Sequence, residues 1–108
     1  MQIELLNELV ALADKQAILK QLKALGYRDC AKDKKYCDFS LPAIFKGTEQ
    51  STEWAYNNKG DRLYKAYTFN DVVGAEQTEF LVLEVNAVDK KHDKVRPMAL
   101  HIYYKEAE

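Results

Sequence analysis

The C-terminal part of the chain, from Phe80 to Tyr104, alternates along its length, and this pattern constrains the fold more than any other feature. A polar break at 89–94 divides it into two runs. Side chains on a strand point to opposite faces with period two, so the runs predict two antiparallel strands joined as a hairpin. If Val88 pairs with Val95, three aliphatic pairs lie opposite one another: Val85 with Met98, Leu83 with Leu100, and Leu81 with Ile102. This register collects the aliphatic residues on one face, whereas a one-residue slip would scatter them.

A second hairpin is predicted from Thr52–Tyr56 and Arg62–Phe69. Gly60 suits the left-handed position of the three-residue loop 58–60 between them. If Asn57 pairs with Asp61, the cross-strand pairs are Trp54 with Tyr64, Glu53 with Lys65, and Tyr56 with Arg62. These are an aromatic pair, an ion pair and a cation–π pair, which all favour the hairpin.

The N-terminal part has helical spacing, with apolar residues in two stripes that are out of phase with each other. Asp14 is placed to cap a new helix where the phase slips. We therefore predict two helices, Gln2–Ala13 and Lys15–Leu25, with one bent helix as the alternative. Gly26 is a natural residue for ending the second helix.

The segments between these elements are less regular. Tyr27–Asp38 is predicted to be a charged loop, Phe39–Lys46 either an edge strand or one helical turn, and Asn70–Thr78 either a loop or a short helix. The whole pattern predicts a single α+β domain, 1–108, with the helical segment packed on one face of about four antiparallel strands. In the order of its elements this resembles cystatin-like and helix-grip architectures, a resemblance that implies no function.

Composition excludes several functional classes. The formal net charge is −1 with mixed signs along the chain, which argues against a general nucleic-acid or membrane-surface binder. The N-terminus has no basic region before an apolar run, and no stretch approaches about 18 apolar residues, so we expect a cytoplasmic protein. Cys30 and Cys37 are interpreted as structural thiols, with a disulfide or a metal site as alternatives.

Candidates for catalysis are few. His92 lies in the polar loop of the last hairpin, where a solvated histidine is the simplest interpretation. His101 is expected on the same sheet face as Glu84, an arrangement that suits a general base, although a surface histidine is the simpler expectation. The serines and glycines form no nucleophile or phosphate-binding motif. We predict no catalytic residues, no metal site and no cofactor.

The functional prediction depends on the sheet face that the helices leave open. The two registers place on it Phe80, Val82, His101 and Tyr103 of one hairpin, and Trp54, Tyr56 and Tyr64 of the other. The alternative is that loops or Phe39–Phe45 cover this face. Aromatic residues flanked by charge are typical of protein contact sites. The predicted partner-binding residues are Trp54, Tyr56 and Tyr64 at the centre, with Arg62, Lys90, Lys91 and His92 at the rim.

The sequence thus predicts a non-enzymatic module that binds a protein partner, of the inhibitor, antitoxin or immunity type. Three alternatives remain open: a module that stacks single-stranded RNA on the same aromatic residues, a homodimer that buries them, and a small ligand-binding or enzyme domain of helix-grip type.

Overall fold

The computed structural model describes residues 1–32 and 41–106, which form helices and one antiparallel sheet. The elements are α1 (Ile3–Val10), α2 (Lys15–Ala24), β1 (Arg28–Asp29), α3 (Leu41–Ile44), β2 (Thr48–Ser51), β3 (Ala55–Tyr56), β4 (Arg62–Asn70), β5 (Thr78–Asp89) and β6 (Lys94–Glu106). The sheet order is β1-β6-β5-β4-β2, and β3 also pairs with β4. The α+β class is confirmed, with more strands than the four predicted.

The N-terminal segment forms two helices rather than one bent helix. The Asp14 side chain accepts a hydrogen bond from the Ala17 backbone N–H at 3.0 Å, and so caps α2 at the position where the sequence phase slips. The chain leaves α2 through Gly26, whose φ of 93° lies in the left-handed region. In the described ranges 1–32 and 41–106, no helix has the length and apolar character needed to cross a membrane.

Both helices pack on one face of the sheet, which we call the inner face. Leu6, Leu9 and Val10 of α1 and Ile18 and Leu22 of α2 are buried there. The strands contribute their inward side chains to the same cluster: Tyr64, Ala66, Leu81, Leu83, Val85 and Tyr103. This is the main hydrophobic core.

The last hairpin exists as predicted, but its predicted register is wrong beyond its first three pairs. Val88 pairs with Val95 as expected, whereas Val85 lies opposite Ala99 rather than Met98. Met98 is the extra residue of a β-bulge, which moves every later residue of β6 by one position. Leu83 therefore pairs with His101 and not with Leu100.

The first hairpin contains a similar irregularity. Ser51 lies opposite Tyr67, which matches the predicted register, but Ala55 lies opposite Tyr64, one residue out of step. Glu53 and Trp54 together stand opposite Lys65, which makes one extra residue on this strand, and the Glu53 backbone N–H donates to the Asn7 side-chain oxygen at 3.0 Å. The predicted pair of Trp54 with Tyr64 is therefore wrong, and Lys65 stands opposite two residues instead of the predicted Glu53 alone.

The two bulges lie at the same level of the sheet. Between them β4 and β5 pair without interruption, from Arg62 opposite Ala87 to Phe69 opposite Phe80. Bulges bend a strand and increase its twist, so we infer that the sheet bends along a line through Glu53 and Met98.

A second core covers one end of the other face, which we call the outer face. Its buried residues are Cys30, Ile44, Phe69, Val72, Ala75, Phe80, Val82 and Tyr104. Ile44 comes from α3, so the segment that begins at Leu41 forms the helical turn and not the edge strand. Phe39 and the stretch 33–38 lie outside the described residues. The loop 71–77 contains only an isolated bridge between Val72 and Ala75.

Candidate functional site

The other end of the outer face exposes aromatic and aliphatic side chains. We define the outer patch as Trp54, Tyr56, Lys65, Glu84 and Leu100. Trp54 is 44% exposed, Tyr56 60% and Leu100 44%. Lys65 pairs with Glu84, and Glu84 pairs with Leu100, so these three side chains form one row across β4, β5 and β6.

Trp54 is held in this row by a cation. The Lys65 Nζ lies 5.0 Å from the Trp54 ring centroid and 5.2 Å from the Tyr67 ring centroid. These distances fall within the range of a cation–π interaction, which restrains both the lysine and the indole. The cation–π pair predicted between Tyr56 and Arg62 is not formed, because Tyr56 lies opposite Leu63.

Glu84 introduces a negative charge next to Lys65. Its Oε2 accepts long hydrogen bonds, both of 3.5 Å, from the Tyr67 hydroxyl and from the Asn86 side-chain nitrogen. Burial raises the pKa of Tyr67, and the nearby carboxylates of Glu84 and Glu49 raise it further. The tyrosine is therefore a neutral donor, and the outer patch combines aromatic rings with one charge of each sign.

The aromatic surface is smaller than predicted. Tyr64 is only 6% exposed and belongs to the main core under the helices, so it does not share a face with Trp54 and Tyr56. Phe80 and Val82 are buried in the second core. The bulge in the first hairpin explains the position of Tyr64, because a one-residue shift transfers a side chain to the opposite face. Phe80 and Val82 keep the predicted outer face, but Ile44 of α3 and Val72 and Ala75 of the loop 71–77 cover them there.

His101 and Glu84 do not form the predicted pair. His101 lies opposite Leu83 on the inner face, whereas Glu84 points to the outer face. Partial burial lowers the pKa of His101, and the charge of Lys15 lowers it further against a smaller opposing effect of Asp29. The carboxylate that acts on His101 is thus Asp29, and the predicted partner Glu84 lies on the other face.

We expect His101 to titrate below its ordinary pKa of about 6.5. Because its pKa in the folded state is lower than in the unfolded state, its contribution to stability is present above about 6.5 and is lost as pH falls through the folded pKa. An NMR titration of the ring proton measures the midpoint directly. In urea unfolding, the free energy of unfolding should fall less steeply below about pH 6.5 in His101→Gln than in the wild type. A midpoint at or above the ordinary value would contradict the prediction.

The rim residues lie where the two hairpin turns meet. The Val88 backbone N–H donates to the Asp61 carbonyl at 2.9 Å, and the Lys90 Nζ donates to the Lys59 carbonyl at 3.0 Å. We call this region, residues 57–62 and 89–96, the basic end. It brings Lys90, Lys91 and His92 beside the turn that follows Tyr56.

Arg62 lies at the basic end but on the helix side of the sheet. It lines a cavity of about 420 Å³ together with Leu12, Asp14 and Tyr64. Its guanidinium donates to the Asp61 carbonyl at 2.9 Å. Of the seven predicted contact residues, the structure thus places Trp54 and Tyr56 in the outer patch. Lys90, Lys91, His92 and Arg62 lie at the basic end, and Tyr64 lies in the core.

Sequence reasoning missed Lys65, Glu84 and Leu100 as members of the outer patch. The alternation along the last strand predicts Leu100 on the buried face, and the bulge at Met98 reverses that assignment. The local signal is Pro97, directly before Met98, because proline within a strand is confined to edges, strand starts and bulges. For Lys65 the sequence predicts an ion pair with Glu53, whereas in the structure Lys65 contacts the Trp54 ring.

No group of three or more histidine, cysteine or acidic residues is arranged to hold a metal ion in the part of the chain that the structure describes. Cys30 is buried in the second core, and its backbone N–H donates to the Ile102 carbonyl at 3.0 Å. Cys37 lies outside the described residues, so the interpretation of both cysteines as thiols stays a prediction.

The sequence matches no protein-family model, and no curated protein or solved structure matches the chain.

Proposed function

We propose that this protein acts by binding a protein partner through the outer patch, as a non-enzymatic module of the inhibitor, antitoxin or immunity type. The observation that carries the proposal is the exposure of Trp54, Tyr56 and Leu100 on the sheet face opposite the helices. Tryptophan and tyrosine dominate the binding energy of protein interfaces, where truncation of one such anchor often costs about 2 kcal/mol or more. These side chains are available without any unfolding of the main core.

The construction of the outer patch favours a protein partner. Trp54 is already restrained by Lys65, so little side-chain freedom is lost when a partner packs on it. Lys65 and Glu84 lie between Trp54 and Leu100, so the patch offers apolar anchors together with one charge of each sign, which a complementary protein surface can match.

Single-stranded RNA is less well accommodated. A stacking platform needs several free ring faces in series, yet Tyr64 is buried and Lys65 occupies one side of Trp54. Glu84, in the middle of the row, would also repel a phosphate backbone that passed over it.

Affinity capture from the source cell, combined with sedimentation of the purified chain, tests the proposal. We expect a captured protein that binds the wild type in a purified mixture and whose affinity falls at least about tenfold in Trp54→Ala/Tyr56→Ala. Val73→Ala is the matched control, because Val73 is also exposed but lies in the β4–β5 loop at the covered end of the sheet. The control should bind like the wild type.

Two results would contradict the proposal. One is a captured protein that binds the wild type and the double variant equally well. The other is a monomer that captures nothing. A dimer that dissociates when both aromatic residues are replaced would instead identify a second copy of the chain as the partner.

A further inference from the structure

We infer that the basic end recognises an acidic segment of the same partner that covers the outer patch. The inference rests on the proposed function, because it specifies the chemistry of that partner. It concerns a separate group of side chains, located on the turns rather than on the sheet face. The inference and the proposed function can therefore be tested independently.

The charges of this region are concentrated by the fold. Residues 57–62 and 89–96 contain six lysine or arginine and three aspartate residues, a net charge of +3 in a chain whose net charge is −1. The two segments are distant in sequence, and the pairing of β4 with β5 brings them together. The hydrogen bond from Lys90 to the Lys59 carbonyl joins the two turns directly. The result is one compact cationic region at one end of the sheet.

Two of its three aspartates are engaged within the turns. The Asp89 carboxylate accepts hydrogen bonds from the backbone N–H groups of Lys91 and His92 and contacts the His92 ring nitrogen at 2.8 Å. The Asp61 carboxylate accepts from the Asn57 side chain at 2.6 Å. These contacts lower the pKa of both carboxyl groups, so the aspartates shape the turns as anions.

The lysine side chains form fewer contacts within the turns than the aspartates do. Across residues 1–32 and 41–106, neither Lys91 nor Lys94 forms an ion pair, and both side chains are exposed. An exposed ammonium group keeps most of its hydration, so a partner can recruit it at a small desolvation cost. Charge at the edge of an apolar contact mainly accelerates association and selects the partner.

An acidic protein segment suits this region better than a nucleic acid does. The positive charge forms a compact region at the turns and does not continue as a track, because Glu84 lies in the middle of the outer patch. A single strand needs a basic groove along several nucleotides, whereas a few carboxylates on a folded partner need only a local region of positive charge.

NMR titration of the full chain with a peptide of about six glutamates tests the inference, with a uridine oligonucleotide of about the same charge as the competing probe. We expect the peptide to shift backbone amides of 57–62 and 89–96. The shifts should shrink strongly between about 0.02 M and 0.5 M salt. The peptide should bind more tightly than the oligonucleotide.

Charge reversal supplies the control. Lys91→Glu/Lys94→Glu should weaken peptide binding about tenfold or more, because it places like charges opposite each other. Lys20→Glu/Lys23→Glu, which changes the net charge equally on exposed positions of α2, should weaken it no more than about threefold. Trp54→Ala/Tyr56→Ala should leave peptide binding unchanged, since the peptide has no apolar group for the outer patch.

The inference is overturned if the shifts spread over the whole surface, if both charge reversals weaken binding equally, or if the oligonucleotide binds more tightly and shifts the outer patch. Its failure is distinct from that of the proposed function. A captured partner that needs Trp54 and Tyr56 but tolerates Lys91→Glu/Lys94→Glu would overturn only the inference.

Discussion

Replacement of Leu83 by alanine is expected to lower the free energy of unfolding by about 2–5 kcal/mol. Leu83 is completely buried at the centre of the main core, where the helices pack on the inner face. Removal of its side chain loses the transfer free energy of the buried groups and leaves a cavity between packed layers. Urea unfolding followed by circular dichroism measures the change.

Leu100→Ala is the matched control, because it removes the same atoms from a side chain that is 44% exposed. We expect it to cost less than about 1 kcal/mol. The alternation of the sequence predicts equal burial of these two leucines, whereas the bulge at Met98 puts them on opposite faces. Similar losses of stability in both variants would support the unbulged register and contradict the structure described here.

The features that local chemistry determines were predictable from sequence. The Asp14 cap follows from the preference of a short acidic side chain for the first free amides of a helix. Gly60 has a φ of 71°, which is the left-handed conformation that the first hairpin turn requires. Helices, hairpins and the α+β class all follow from signals of this kind.

The bulges do not follow from the alternation, although Pro97 beside Met98 is a signal for the one in β6. Around Met98 the alternation by itself is compatible with a continuous ladder as well as with the bulged one. The two-residue strand β1 was missed as well. It is ordered through its pairing with Tyr103 and Tyr104, which are far away in sequence.

The register errors changed the predicted site more than the predicted fold. A one-residue shift leaves the hairpins and the sheet intact, but it exchanges the two faces of a strand. Tyr64 thereby moves from the expected surface to the core, and Leu100 moves from the expected core to the surface. A function that depends on one face of a sheet is therefore harder to derive from a sequence than the sheet itself.

The second large loss of stability is expected for a residue on the outer face. Phe80→Ala should cost about 3–5 kcal/mol, because Phe80 is fully buried in the second core between the sheet and the segment around α3. Differential scanning calorimetry should show a large decrease in melting temperature. An outer face left open at this end, as the sequence predicts, would instead expose Phe80 and give a small effect.

Trp54→Ala completes this comparison on the same face. Its ring is half-exposed, and we expect only the loss of its contact with Lys65, about 0.5–1 kcal/mol. A protein that keeps its melting temperature while it loses its partner shows that Trp54 acts in binding and not in folding. If Trp54→Ala were instead as destabilising as Phe80→Ala, the tryptophan would belong to the core and the outer patch would lose its principal anchor.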